Sequence, residues 1–217
     1  MNISIENLNK TYLRRGKNFN AFQTIDLKIN AGEFIAIVGP SGSGKTTFLH
    51  LLAGLLTQSS GAIKYDGLDF ANIPKAEKAA FINDNIGFIS QGMSLIPSLC
   101  VVDNLRLPLY LSKREHQAGV EINQALALLA QLGIEDLADE YPINLSGGEQ
   151  RRVAIARAVM NHPKIIIADE PTNDLDDVSK AKVLELFKQK NQAGATVIMV
   201  THHQENLAYV NQVYTMN

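Results

Sequence analysis

A short apolar, largely β-branched run, Phe34–Val38, leads directly into Gly39-Pro40-Ser41-Gly42-Ser43-Gly44-Lys45-Thr46. The order G-x-x-x-x-G-K-[ST] after a strand and before a helix builds a loop whose backbone N–H groups converge on an anion. Glycines keep Cβ atoms out of that cradle, Lys45 adds a point charge, and the start of the following helix adds partial positive charge. The Thr46 hydroxyl suits a divalent cation. A dinucleotide fingerprint is excluded, because Thr47 stands where its third glycine belongs. The loop predicts nucleotide phosphate binding and a strand–loop–helix unit, which commits the chain to an α/β fold.

The rest of the sequence fits that commitment. Phe34–Val38, Ile86–Ile89, Ile165–Ala168 and Thr196–Val200 are short, nearly continuous apolar runs, as strands covered on both faces of a parallel sheet should be. Helical patterns separate them at Lys45–Ala53, Glu149–Met160 and Val178–Asn191. The first thirty residues differ: Ile3, Ile5, Leu8, Ile25, Leu27 and Ile29 alternate with polar residues, predicting a half-buried antiparallel sheet around a basic turn, Arg14 to Asn20. Asp66-Gly67 within Ala62–Phe70 predicts a hairpin. Residues 92–145 break the rhythm, with Leu95-Ile96-Pro97 followed by a helical run at Glu121–Leu132, and are expected to form a helical insertion. The expected division is a single domain over 1–217. Its β subdomain and core come from 1–91 and 146–217, and its helical subdomain from 92–145.

Charge narrows the partners. With 20 Lys+Arg against 22 Asp+Glu the formal net charge is −2, so a nucleic-acid binder working by phosphate neutralisation is disfavoured. The single cysteine, Cys100, cannot form an internal disulfide and is expected to be a small buried thiol. No apolar run reaches the ~20 residues of a membrane span, and no signal layout opens the chain, so a cytosolic location is expected.

Two further segments carry chemistry. Ile165-Ile166-Ile167-Ala168-Asp169-Glu170 is an apolar strand ending in two carboxylates at the sheet edge where ligands bind. Strand alternation predicts opposite directions for the two, and so separate tasks: Asp169 holding Mg²⁺ through water, Glu170 polarising the attacking water. Leu145-Ser146-Gly147-Gly148-Glu149-Gln150 places Ser146 and Glu149 as a capping box before an amphipathic helix, leaving a glycine-rich helix start suited to an anion.

With LSGGEQ standing between the phosphate loop and the carboxylate strand, the chain resembles the ATP-binding subunits of ABC transporters nearly end to end. The resemblance implies a P-loop NTPase (RecA-like) core with ATP and Mg²⁺ as ligands. It also implies a head-to-tail dimer with a second copy, in which Ser146, Gly147, Gly148 and Glu149 act in trans on the nucleotide held by the other chain. It further implies that Tyr12 stacks on adenine, Thr47 meets the α phosphate, and Gln91 touches Mg²⁺ beside Thr46 and Asp169. His202 takes the switch position at the γ phosphate, with Lys45 and Glu170 as the other catalytic groups. Asp174 and Asp176 fall in a loop that communicates across the dimer. Departures are His203, where an acid is common, Gly92, where a bulkier residue is usual, and Asn173-Asp174, which replaces a Gly-Asn pair.

The implied partner is an integral membrane permease subunit, reached from the cytoplasmic face of the cell membrane. Ile86–Gln91, Leu95-Ile96-Pro97 and Asn104–Leu109 most resemble the lipoprotein-release, macrolide-export and cell-division group. The alternative, a soluble ABC ATPase acting on DNA, chromosomes or ribosomes, usually carries coiled-coil arms, zinc modules or a second cassette. One cassette, no cysteine cluster and about a hundred residues between Lys45 and the signature disfavour it.

Overall fold

The structure, a computed structural model, describes residues 1–14, 16–92, 95–112 and 119–217. Its centre is a five-stranded parallel sheet in the order β11-β5-β10-β9-β8, built from β5 (Phe34–Val38), β8 (Ile86–Ile89), β9 (Ile165–Asp169), β10 (Thr196–Val200) and β11 (Gln212–Thr215). The period-2 direction of strand side chains divides each strand between two cores. Phe34, Ile166, Ala168, Val197 and Met199 face one cluster; Ile35, Ile37, Ile165, Ile167, Ile198 and Val200 face the other. Continuous apolar runs were therefore the correct signal for strands buried on both sides.

The second cluster is closed by α1 (Lys45–Leu52) and by an antiparallel sheet of order β4-β1-β6-β7. Its strands are β1 (Ile3–Asn9), β4 (Ile25–Ile29), β6 (Ser60–Tyr65) and β7 (Leu68–Asp69). Ile3, Ile5, Leu8, Ile25 and Ile29 are buried there, and Asp66-Gly67 turns β6 into β7 as expected. The first cluster is closed by α3 (Val101–Leu111), α4 (Val120–Leu132), α5 (Gly147–Val159) and α6 (Asp177–Gln192). Between β8 and α5 the described residues hold helices and three-residue 3-10 turns but no strand. Asn104 of α3, fully buried, organises this lobe: its amide donates to the carbonyls of Ile96, Leu99 and Cys100, and its oxygen accepts from Ile96 N–H at 2.9 Å.

Some elements depart from the sequence expectation or were not anticipated by it. The stretch 14–20, expected as a turn, contributes a strand: β2 (Thr11–Arg14) pairs with β3 (Lys17–Asn20), with Tyr12 opposite Phe19. Arg15 lies outside the described residues. Neither strand has a buried residue, so no burial alternation marked them. Helix α2 (Lys75–Asn85) likewise buries none of its residues fully, and β11 is an exposed edge strand. Cys100 is half-buried rather than buried, its Sγ 3.4 Å from an Asp103 carboxylate oxygen.

Candidate active site

The loop from β5 to α1 shows why its glycines stand where they do. Gly44 has φ 89°, and a Cβ there would run into the Ala21 carbonyl; a Cβ on Gly39 would run into that of Met216. Gly44 occupies the cap position of α1 and offers no side chain, so the first-turn N–H groups of that helix have no side-chain acceptor. The Lys45 ammonium, buried at 7% exposure, is held by the Gly39 and Pro40 carbonyls at 2.9 and 2.8 Å. A buried cation, an open helix start and a glycine-lined turn make a preformed anion cradle.

That cradle floors a cleft of about 360 Å³ lined by Ser41, Gly42, Gly44, Lys45, Thr46 and Thr47, by Gln91, Asp169, Glu170 and His202, and by Tyr12, Phe19, Ala21 and Val200. Pro40 and Ser43 line an adjoining pocket with Ser41, Gly42, Phe19 and Phe22. The structure thus brings together residues from every segment singled out in the sequence except the signature and Asp174-Leu175-Asp176. Tyr12 and Phe19 project from opposing positions on the β2–β3 hairpin, and the Lys10 ammonium sits 5.3 Å from the Tyr12 ring centre.

Asp169 ends β9 at 2% exposure. Burial pushes its carboxyl above the usual range, against an opposing hydrogen bond from Thr46. Its Oδ2 has no hydrogen-bond partner, and Ser43 Oγ is orphaned in the same way. A buried, half-satisfied carboxyl group sharing a cleft with the Thr46 hydroxyl and the Gln91 amide is an oxygen donor set suited to a hard divalent cation.

Glu170 leaves the strand in the left-handed region, φ 48°. Alternation predicted that the two acids would point to opposite faces; instead this backbone turn sends both into one cleft. Strained conformations of this kind persist where surrounding structure dictates them, and functional sites are where they cluster. Glu170 Oε1 lies 3.0 Å from His202 Nε2, and Oε2 accepts from the Asn173 amide. Asn173 Oδ1 in turn lies 3.2 Å from His203 Nε2.

Gln91 follows β8 at the entrance to the helical lobe. Its carbonyl accepts from Arg151 of α5 at 2.8 Å, and the Ser90 carbonyl from the same guanidinium at 3.3 Å. The signature segment lies at the start of α5, and none of Ser146, Gly147, Gly148 and Glu149 lines the cleft. The expected capping box is present: Glu149 N–H donates to Ser146 Oγ at 3.4 Å, and Ser146 N–H to Glu149 Oε2 at 2.7 Å. The Ser146 hydroxyl, donating to Glu149 Oε2 at 2.8 Å, and the Ser146 N–H together hold that carboxyl below its ordinary value, the hydroxyl contributing most. Asp174 is exposed with φ 59°; Asp176 caps α6, accepting from the Ser179 N–H at 2.9 Å and hydroxyl at 2.7 Å.

Sequence reading missed Phe19, which faces the cleft from a segment taken for a turn, Ala21 just beyond that segment, and Arg151, masked inside a helix-start motif. It noted His203 and Asn173 only as departures, without the contact between them.

Comparison with known proteins agrees with this geometry. The family profile described as ABC transporter matches residues 22–173. The chain is 40% identical over 203 residues to the lipoprotein-releasing system ATP-binding protein LolD of Syntrophus aciditrophicus, covering 93% of this chain and 90% of that protein. It is 39% identical over 215 residues to the macrolide export ATP-binding/permease protein MacB of Rhodopirellula baltica, covering 99% of this chain but only 31% of that protein. A dimeric ATP-binding cassette solved in a post-hydrolysis state with ADP and Pi superposes with a TM-score of 0.94 at 36% identity, covering 99% of this chain and 94% of that one. With its parallel-sheet core, its phosphate cradle and these matches over most of its length, the chain belongs to the ABC transporter family.

Proposed function

We propose that this chain is the ATP-hydrolysing motor of a transporter, closing on a second copy of itself around ATP and driving a separate membrane permease from the cytoplasmic face. The observation that carries the reading is the single cleft that gathers Lys45, Thr46, Asp169, Glu170, Gln91 and His202. Tyr12 receives the adenine face, Gly39 to Thr46 cradle the phosphates, and Thr47 meets the α phosphate. Thr46, Gln91 and Asp169 hold Mg²⁺; that ion supplies charge neutralisation at the phosphates. The orphaned Asp169 Oδ2 supports this donor set. Glu170 accepts a proton from water as the water oxygen bonds to the γ phosphorus. The bond from that phosphorus to the bridging oxygen breaks, and ADP leaves with the electron pair. His202 steadies the γ phosphate.

The signature residues lie outside their own cleft, in keeping with a role on the partner's nucleotide, and the similar cassette solved as a dimer supports that arrangement. The MacB relative, named as an ATP-binding/permease protein, supports a permease partner. Among the described residues no helix is long and apolar enough to cross a membrane. Nucleotide bridging two chains, then lost on hydrolysis, supplies the differential binding that opens and closes the dimer. Export or mechanical transmission of the lipoprotein-release kind fits the relatives' names better than DNA or ribosome work. The test is Glu170→Gln: turnover should fall about 10²- to 10⁴-fold with ATP binding kept and a closed dimer accumulating. Turnover at the unmutated rate would remove Glu170 as the base.

A further inference from the structure

The two departures from the family pattern that flank the cleft touch each other. His203 follows the switch histidine and Asn173 follows the carboxylates, thirty positions apart, yet His203 Nε2 and Asn173 Oδ1 are 3.2 Å apart. Asn173 then donates its amide to Glu170 Oε2. The direction of this chain is fixed: because the amide nitrogen serves the carboxylate, its oxygen must accept, so His203 carries a proton on Nε2.

Both ends are held from behind. Asn206, fully buried, donates to the hydroxyls of Thr172 and Thr201 at 3.0 and 2.8 Å. Thr172 and Thr201 are themselves 1% and 2% exposed, and the Thr201 hydroxyl accepts from the His203 backbone N–H at 3.1 Å. One buried amide therefore ties the segment ending in Asn173 to the segment ending in His203. The tie runs through the two amide N–H bonds alone, since Asn206 Oδ1 has no hydrogen-bond partner.

We propose that Asn173 and His203 are a matched pair of positioning residues that anchor one oxygen of Glu170, so that the other is the one presented to water. This rests on the reading of Glu170 as the base. Oε2 is tied back through Asn173 and His203 into the protein. Oε1 faces His202, whose side chain is half exposed. When His202 turns to the γ phosphate, Oε1 keeps its aim because Oε2 does not move. The two side chains complement each other: the Asn173 amide reaches the carboxylate, and its oxygen meets the His203 donor. It also ties the base to the Asn173-Asp174 segment that, on the dimer reading, meets the second chain.

The test is steady-state ATP hydrolysis by the full chain with Mg-ATP, for Glu170→Gln, Asn173→Ala, His203→Ala, His203→Gln and the double Asn173→Ala/His203→Ala. Loss of aim without loss of substrate contacts should lower kcat roughly 10- to 100-fold in Asn173→Ala, and less in His203→Ala, with KM for ATP unchanged. His203→Gln, whose amide nitrogen falls near the imidazole Nε2 position, should recover most of the His203→Ala loss. The double variant should be no slower than Asn173→Ala alone, because the two act through one bond to Glu170. Alanine variants with wild-type kcat, losses confined to KM, failure of His203→Gln to recover rate, or a multiplicative double variant would each overturn the pair. If Asn173→Ala does not fold, the two His203 variants decide. Undiminished turnover in Glu170→Gln sinks the base reading itself; an inactive Glu170→Gln with full-rate His203→Ala sinks only the positioning pair.

Discussion

Two helix starts in this molecule open on glycine-containing segments, and they are finished differently. α1 begins at Gly44, which has no side chain to give, and its first turn carries no acid; the buried Lys45 ammonium sits beneath it. α5 begins at Ser146, whose hydroxyl accepts from Glu149 N–H, while the Glu149 carboxylate turns back onto the Ser146 N–H and hydroxyl. The first start leaves its N–H groups open and adds positive charge. The second has a side-chain partner already and carries a negative charge in its first turn, which complements the helix dipole when nothing else does. On the proposed dimer reading, the difference suits a division of labour in which α1 grips phosphate alone and α5 engages it when a second chain brings it, exchanging an internal cap for an intermolecular one.

The sharpest way to break that comparison is to spoil α5 and look for damage at α1. Gly148→Asp puts a second carboxylate at the signature, where the partner's phosphate should arrive. A Cβ there meets only Leu175 Cδ2 at 3.4 Å and the Asp174 carbonyl at 3.7 Å, so the chain should fold. Turnover and ATP-driven dimerisation should fall roughly 100-fold or more, since opposed like charges cost several kcal/mol, while the lone chain keeps its ATP affinity. Sedimentation in the Glu170→Gln background and nucleotide titration of the monomer read the two quantities separately. Equal loss of monomer affinity would mean that α5 serves its own chain's nucleotide. Next in size is Lys45→Ala, which removes the cation beneath α1. Monomer ATP affinity should drop about 10- to 100-fold, the range of roughly 1.5–3 kcal/mol for hydrogen bonds to charged groups, and unchanged affinity would remove Lys45 from the cradle.

The same contrast explains what the sequence could and could not reveal. The β5–loop–α1 unit was legible because each part leaves its own mark: apolar continuity for two-sided burial, glycines for φ near 83–89° at Gly42 and Gly44, and a lysine that must follow them. The capping box of α5 was legible for the same local reason. The β2–β3 hairpin, α2 and β11 left no such mark: the hairpin is almost wholly exposed, and α2 and β11 bury no residue fully, packing only Phe81, Ile82 and Tyr214 partly against the core. Within the site, alternation failed at Glu170, where a non-glycine residue adopts φ 48° against its local preference; only the packed surroundings dictate that turn. The Asn173–His203 contact was invisible for a different reason. It joins the ends of two neighbouring strands, β9 and β10, and sheet order is not written in either segment alone.

The smallest of these effects isolates the cap itself. Ser146→Ala removes the acceptor for Glu149 N–H and one of the donors to the Glu149 carboxylate, and touches nothing in the cleft. Loss of such a cap costs about 1 kcal/mol, or roughly 2–4 °C in Tm for a chain of this size. The pH dependence has a definite sign. The folded state holds Glu149 below its ordinary value of 4.5, so the cap's electrostatic share is fully present above about pH 4.5 and is lost as pH falls through the depressed value. The stability gap between Ser146→Ala and the unmutated chain should therefore be widest near neutral pH and narrow in acid, as thermal unfolding across that range would read. The cap position of α1 should show no such effect, since Gly44 has no titrating side chain. A gap that stayed constant into acid would mean that Ser146 stabilises α5 through its hydroxyl alone, and that Glu149 is free to turn outward to a partner without cost to the helix.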